Sequence, residues 1–284
     1  MQDNKTYTRF SESDIENFKP EMKVGLLATA SKQGLPHLTL ISTLQACSAT
    51  GLFWGQFSEG ISKNNIHENP HTGFLIMTLD RNLWRGKARF THTSRTGAEF
   101  DLLNNTPMFR YNAYFGVHTV YYMDLVSQTG KQPLPMGGIL QAAVKTMIAR
   151  TLAGKGGEKE VINGFTRRLI DKMTNLKFLA YVDADGYPFI IPVIQAQTAG
   201  TDRIIFASSV YGDDLKSIAK GSTVALFGMS FEMQTVVLRG AYQGISSVGG
   251  VRCGSMEVDW VYNPMPPKPG QVYPLKKLEA ITSF

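Results

Sequence analysis

Two stretches of this chain, 152 positions apart, follow one pattern, and that internal repeat constrains the fold more than any other feature. Residues 26–41 read LLATASKQGLPHLTLI and residues 178–193 read FLAYVDADGYPFIIPV. Leu27, Ala28, Gly34 and Pro36 therefore fall on Leu179, Ala180, Gly186 and Pro188. Each copy holds an apolar strand, a glycine turn, a proline at the entry to a second strand, and another apolar run. Proline is tolerated there because the first residue of a strand can forgo a ladder donor. The same offset carries Gly60 onto Gly212 and Ile66 onto Ile218, and it becomes 154 at Arg85-Gly86 and Arg239-Gly240. A hairpin two residues longer would make that change. The ordered series predicts a duplicated unit.

Within the first copy, Thr39, Ile41 and Thr43 alternate with Leu38, Leu40 and Leu44, which predicts a half-buried strand. Ala49-Thr50-Gly51 breaks it, and Leu52-Phe53-Trp54 starts the next. A short helix is expected from Gly60 to Glu68, stopped by Asn69-Pro70, since the residue before a proline is pushed toward extended geometry. Further strands are expected at 74–79, 83–90 and 116–126. The second copy repeats this with strands at 204–207, 223–229, 234–245 and 251–262 and a helix at 213–220. Short antiparallel strands with one small helix predict a closed barrel, which leaves few exposed edges. Between the copies, Leu140, Val144, Met147, Ile148 and Leu152 recur at helical spacing, as do Ile162, Phe165, Leu169 and Met173. The loop Gly154-Lys155-Gly156-Gly157 separates the two runs. Packing and linkage are the expected role of this helical hairpin, with a lid over a site as the alternative. The expected domains are a first barrel over 1–135, the helical segment over 136–175 and a second, diverged barrel over 176–284.

Composition fits two ordinary domains. Hydrophobic residues at 43% and charged residues at 18% exclude a disordered chain, and Cys47 and Cys253 are too few for a disulfide framework or a Cys-based zinc site. No run reaches the roughly 18 apolar residues of a membrane span. Met1-Gln2-Asp3-Asn4-Lys5 is polar and leads into no apolar segment. A cytoplasmic protein with no membrane partner is expected. The net charge of +6 is diffuse, for Glu158, Glu160 and Asp171 interrupt even the densest basic stretch, Lys155 to Lys172. No nucleic-acid partner is therefore expected, and an anionic small molecule is a simpler target for a few local cations.

His67-Glu68-Asn69-Pro70-His71 satisfies H-E-x-x-H, but zinc chemistry needs both histidines on one face of a continuous helix. Pro70 interrupts that turn, so no metal site is expected. Residues 149–156 lack both the glycine spacing and the Ser or Thr of a phosphate loop. The stretch from Gly55 to Ile66 is more informative. Gly55 and Gln56 leave a strand, while Ser58, Ser62 and Lys63 put hydroxyls and one ammonium around a helix start. Free N–H groups and the helix dipole favour an anion there. The plainer reading has Ser58 capping the helix and Lys63 solvated. The second copy offers Asp213 and Asp214 at this place, which suit a helix start and repel a phosphate. One anion site, in the first copy, is expected.

The series Gly34-Leu35-Pro36-His37, then Ser62-Lys63-Asn64-Asn65-Ile66-His67-Glu68-Asn69-Pro70, then Trp84-Arg85-Gly86-Lys87-Ala88 resembles the FMN-binding split barrels related to pyridoxamine 5′-phosphate oxidase. The resemblance covers residues 24–90 well and 176–262 in outline. It implies a mainly β fold with helices: two tandem antiparallel split β-barrels paired as an intrachain pseudo-dimer, with FMN in the groove between them. The flavin phosphate would sit near Ser62 and Lys63, and Gly55, Gln56, Ser58 and Asn64 are further candidate cofactor contacts. The ring would lie along Thr39, Leu40, Ile41, Ser42 and Thr43. Trp84, or Trp260 and Tyr262, would wall it, with barrel packing as the competing role for Trp84. The implied function is an FMN-dependent oxidoreductase using a small-molecule redox substrate or electron donor, as a monomeric pseudo-dimer or a homodimer. The alternatives are a non-catalytic flavin or haem binder, such as a one-electron carrier or a storage protein, and a barrel pair without cofactor that serves as an interaction module. The chain departs from the oxidase itself. Near its end it reads Val272-Tyr273-Pro274-Leu275-Lys276-Lys277 where the oxidase has an R-L-H-D-R-like segment, and it has no histidine after His118. Thr39, Ser42 and Thr43 stand where the oxidase has Arg and Lys. No residue is assigned as acid or base.

Overall fold

The computed structural model describes residues 5–107, 116–154, 159–265 and 269–275. The chain divides into two units, Met1–Pro135 with Ala180–Ile190, and Met136–Leu179 with Ile191–Phe284. The first sheet comprises β1 (Lys23–Ala30), β2 (Pro36–Leu40), β3 (Gln45–Ser48), β4 (Gly51–Gln56), β5 (His71–Thr78), β6 (Asn82–Ser94) and β7 (Thr119–Gln128). Their order is β2-β1-β5-β6-β7-β4-β3, with β8 (Gln132–Pro133) beside β6. Helices α1 (Glu12–Phe18), α2 (Ile61–Glu68) and α3 (Ala98–Asn105) accompany it. The second sheet comprises β9 (Leu176–Val182), β10 (Pro188–Pro192), β11 (Gln197–Thr198), β12 (Arg203–Ala207), β13 (Thr223–Met229), β14 (Thr235–Val248) and β15 (Val251–Asn263). Its order is β10-β9-β13-β14-β15-β12-β11, with β16 (Gly270–Tyr273) beside β15. Helices α4 (Met136–Leu152), α5 (Gly164–Asp171) and α6 (Gly212–Ser217) complete the chain. The two orders match strand for strand. The protein is mainly β with helices, and one antiparallel architecture occurs twice, consistent with tandem split barrels.

Backbone geometry explains the landmarks of the repeat. Gly34 and Gly186 hold φ of 76° and 82°, a left-handed conformation that a Cβ would penalise. Each donates its N–H back across the turn, to Ser31 O at 2.8 Å and to Asp183 O at 2.9 Å. Pro36 and Pro188 then open β2 and β10. Gly86 and Gly240 serve close approach instead. An added Cβ would lie 2.2 Å from Ser127 O and 1.7 Å from Glu257 O, both backbone atoms of the neighbouring strand. The ladder is irregular at both places, between Lys87 and Ala88 and between Arg239 and Gly240. Gly240→Ala is expected to destabilise the protein by about 3 kcal/mol, at the upper end of overpacking costs because a backbone carbonyl cannot swing aside. The urea midpoint should fall with an unchanged m-value. An unmoved midpoint would show that the strands slide apart freely.

The first core gathers Phe10, Phe18, Trp54, Phe74, Ile76 and Trp84 between the sheet and α1. Trp54 stacks on Tyr121 at 4.1 Å, and Phe18 meets Trp84 edge-on at 5.0 Å. Ser11 and Asp14 form a capping box that starts α1. The second carboxylate oxygen of Asp14 accepts the Trp84 indole N–H at 2.8 Å.

Two expectations change. The strand predicted through Thr43 ends at Leu40. Ile41 N–H pairs with Gly25 O at 2.7 Å, and Leu44 N–H returns to Ile41 O at 3.1 Å, so Ser42 and Thr43 lie in a turn. Gly25 permits this bend, since a Cβ there would lie 2.3 Å from Ile41 O. Helix α4 occupies its predicted span but buries the other face. Ile139, Ala142, Ala143, Thr146 and Ala149 turn inward, and Leu140, Val144, Met147, Ile148 and Leu152 are exposed. Alanines let the helix approach the sheet closely, so the small-residue face wins. Helix α5 starts on Asn163, whose side chain accepts Thr166 N–H at 2.9 Å. Lys155, Gly156 and Gly157 of the expected loop, and Lys276 and Lys277, lie outside the described residues.

Candidate functional site

Helix α2 begins where β4 leaves the sheet. Its N-cap is Gly60, in extended backbone (φ 178°, ψ 169°), and no side chain caps it. The plainer reading of Ser58 as the cap therefore fails: Ser58 is exposed, and the cap falls two residues later, on a residue without a side chain. The first-turn N–H groups lack a side-chain acceptor, and the positive end of the dipole is open.

The inward face of α2 carries Ser62, Lys63, Asn65 and Ile66. The hydroxyl of Ser62 shares a hydrogen bond with that of Thr39, which joins the helix start to β2. Lys63 is only 9% exposed, and among the described residues its ammonium has neither an ion pair nor a hydrogen bond. Burial lowers its pKa to about 8, against an upward pull from Glu59. At neutral pH the lysine thus holds its charge in surroundings that disfavour it, and a bound anion would relieve this. Asn65 is buried and donates to Thr29 Oγ1 on β1 at 3.1 Å. The sequence pointed to Asn64, which is exposed. Helical phase could have found Asn65, three residues after Ser62 and on the same face.

The other expected residues have local duties. Thr43 is buried; its hydroxyl accepts Gly55 N–H at 3.0 Å and donates to Gly55 O at 3.3 Å, tying the turn to β4. A Cβ on Gly55 would meet Leu103 and Val117 at 2.7–2.9 Å, so packing beneath α3 requires this glycine. The Gln56 amide donates to Glu59 Oε1 at 2.8 Å and accepts from the Tyr121 hydroxyl at 3.0 Å. Leu40, Ile41 and Ser42 are half-buried, and Ile41 packs on the core. Trp84 is fully buried in that core with its N–H engaged, a placement that matches its competing role in barrel packing.

Lys87, of the Gly-Lys-Ala stretch, lies 2.7 Å from Asp183 Oδ2 and 2.7 Å from Asp185 Oδ2 within the same unit. Burial pulls its pKa down, but the two carboxylates outweigh that and the net shift is upward. It is already neutralised, whereas Lys63 is not. In the second copy, α6 has six residues and follows Tyr211 in left-handed backbone (φ 54°). Asp213 pairs with Lys216 at 2.7 Å. Trp260 stacks on Tyr262 at 5.2 Å, with the Arg239 guanidinium over its face at 4.3 Å. The histidines of H-E-x-x-H diverge. His67 lies in the last turn of α2 near the rings of Phe90 and Tyr121, at 5.4 and 5.9 Å, while His71 opens β5 and stacks on Tyr187 at 4.0 Å. Asn69 between them is extended (φ −138°, ψ 107°). Among the described residues no group of three or more His, Cys, Asp or Glu could hold a metal.

Fold and site together define a doubled antiparallel β protein in which buried Lys63, unpaired among the described residues, stands at a helix start without a side-chain cap. No protein-family model matches the chain, and no curated protein matches it. Distant structural similarity exists to solved proteins. An FMN-binding protein from Syntrophomonas wolfei subsp. wolfei is 14% identical, covering 43% of this chain and 86% of that one with a TM-score of 0.37. An F420 reductase is 16% identical, covering 42% and 98% with a TM-score of 0.33. The inhibitor of motility of Bacillus subtilis is 6% identical, covering 83% and 87% with a TM-score of 0.25.

Proposed function

We propose that the protein is an FMN-dependent oxidoreductase whose first unit binds the flavin phosphate at the start of α2. Lys63 carries this reading: it is a buried cation without a partner among the described residues, beside a helix start that no side chain caps. Such a donor set suits a phosphate. Lys63 would supply charge, the hydroxyls of Ser62 and Thr39 would donate hydrogen bonds, and the first-turn N–H groups would complete the cradle. Glu59 is the nearby carboxylate, and the Gln56 amide restrains it at 2.8 Å. Strand β2 ends its sheet path and, among the described residues, takes β1 as its strand partner, so the other backbone edge of Thr39 and Leu40 would meet the polar rim of a ring. Bound FMN would supply hydride and electron transfer, and the protein would supply binding and orientation.

The reading has a pH signature. Phosphate binding needs Lys63 charged, so FMN affinity is expected to fall as pH rises through about 8. A bound anion raises the lysine pKa, so the loss starts near that value and continues above it. Asp213 and Asp214 at the start of α6 oppose a second phosphate, giving one flavin per chain. Reduction by a nicotinamide cofactor tests the catalytic part: an oxidoreductase turns over with an added acceptor, and a flavin carrier is reduced once and stops.

A further inference from the structure

We propose that the exposed face of α4 and the cavity beside it form a seat for an anionic phospholipid surface. This is independent of the flavin reading and uses residues of the second unit alone. Helix α4 has no acidic residue and is apolar on two faces. Its inward face packs on β12, β15 and β11. On the outward face, Leu140, Val144, Met147, Ile148 and Leu152 are 47–60% exposed and form one stripe at i, i+4, i+7, i+8 and i+12. A helix that is apolar all round requires cover on both faces, and a contiguous exposed apolar patch marks an interaction site.

Thr146 fixes how this helix is turned. Its hydroxyl donates to Ala142 O at 2.8 Å and accepts the N–H of Ala207, the last residue of β12, at 2.9 Å. One residue earlier on the helix, Lys145 is thereby held beside the loop that follows Ala207. A cavity of about 410 Å³ opens there, with Lys145, Lys216, Arg252, Ser208 and Ser209 among its lining residues. Among the described residues no carboxylate lines it. Asp213 takes up part of the charge by pairing with Lys216 at 2.7 Å. The side chains of Lys145 and Arg252 have no ion-pair partner among the described residues. The far end of the stripe reaches the same place. Leu152 packs over Gly249, where a Cβ would lie 2.1 Å from Leu152 Cδ1, and Gly250 lines the cavity.

An apolar stripe and a cationic cavity thus meet on one edge of the unit. An anionic phospholipid matches both, with acyl chains for the stripe and a phosphate for the cations. A second copy pairing through the stripe fits less well. A two-fold axis through its middle would bring two Lys145 ammonium groups near one another, with no acidic residue on either helix to offset them. A free phosphate would fill the cavity and leave the stripe bare. No helix among the described residues is long and apolar enough to cross a membrane, but a helix lying in the interface plane needs no such length. The expectation of no membrane partner rested on the lack of a spanning segment and does not reach this case.

The test is co-sedimentation of the full chain with vesicles of phosphatidylcholine alone and of phosphatidylcholine with about one third phosphatidylserine. The protein is expected to bind the anionic vesicles and not the neutral ones, and to release them as salt rises. Lys145→Gln with Arg252→Gln should weaken binding roughly thirtyfold. Val144→Glu with Ile148→Glu should abolish it at an unchanged thermal midpoint, since both side chains are exposed. If that variant unfolds, Leu140→Ser with Ile148→Ser takes its place and should weaken binding at least severalfold. Absence of binding to anionic vesicles, or binding that neither pair of substitutions alters, overturns the proposal. So does a chain that binds inorganic phosphate but ignores vesicles. A dimer in light scattering that Ile148→Glu converts to monomer, without vesicle binding, overturns it in favour of a contact between copies.

Discussion

Trp84→Ala is expected to lower the unfolding free energy by about 3–5 kcal/mol. The side chain is fully buried, meets Phe18 edge-on at 5.0 Å and donates its N–H to Asp14 at 2.8 Å. Truncation therefore opens a cavity and also removes a donor that helps hold α1 on the sheet. Trp84→Phe separates the two effects in part, because it keeps most of the packing while removing the hydrogen bond and a fraction of the ring volume, at a smaller cost of about 1–2 kcal/mol. Urea denaturation measures both. Trp84→Phe should leave FMN affinity unchanged. A severalfold loss of affinity in a stably folded Trp84→Phe variant would return this ring to the cofactor site, against its placement in the core.

The second large effect concerns binding. Lys63→Met is expected to weaken FMN binding about tenfold to 150-fold, the equivalent of a charge-assisted contact of about 1.5–3 kcal/mol. Stability should move the other way or stay level. Burial holds the Lys63 pKa near 8 in the folded chain, below its ordinary value of 10.5. Between those two values the unfolded chain binds more protons, so this group makes stability rise with pH across that window and contributes least below it. At neutral pH the native lysine is charged and desolvated, and an apolar replacement of similar length removes that cost. Lost affinity with equal or greater stability is the pattern of a residue kept for its ligand. A purely structural lysine would show the reverse, with lower stability and unchanged affinity.

The repeat was legible because its landmarks are backbone requirements. Gly34 and Gly186 need positive φ, and Gly86 and Gly240 need room for a neighbouring carbonyl, so glycine persisted where other residues diverged. The end of α2 was legible for a similar reason, since Pro70 acts on its own neighbours. Features that depend on distant partners were not. The alternation from Leu38 to Leu44 hides a bend that only the approach of Gly25 to Ile41 creates. On α4 both faces are apolar, so spacing alone favoured the larger side chains, and close contact with the sheet selected the alanines. A cap on Gly60 leaves no side-chain signal, which is why Ser58 attracted the assignment. Nothing near Lys87 in the sequence announces its partners, two aspartates about a hundred residues away that neutralise it. Ser62 and Lys63 were legible at the helix start; the isolation of Lys63 among its neighbours was not.

Titration of the purified chain with FMN, followed by flavin fluorescence, tests the central claim most directly. The account predicts one equivalent bound per chain, with affinity that falls above pH 8 and weakens at least about tenfold on substitution of Lys63. Two tight equivalents per chain, no binding at all, or an affinity indifferent to Lys63 would contradict it.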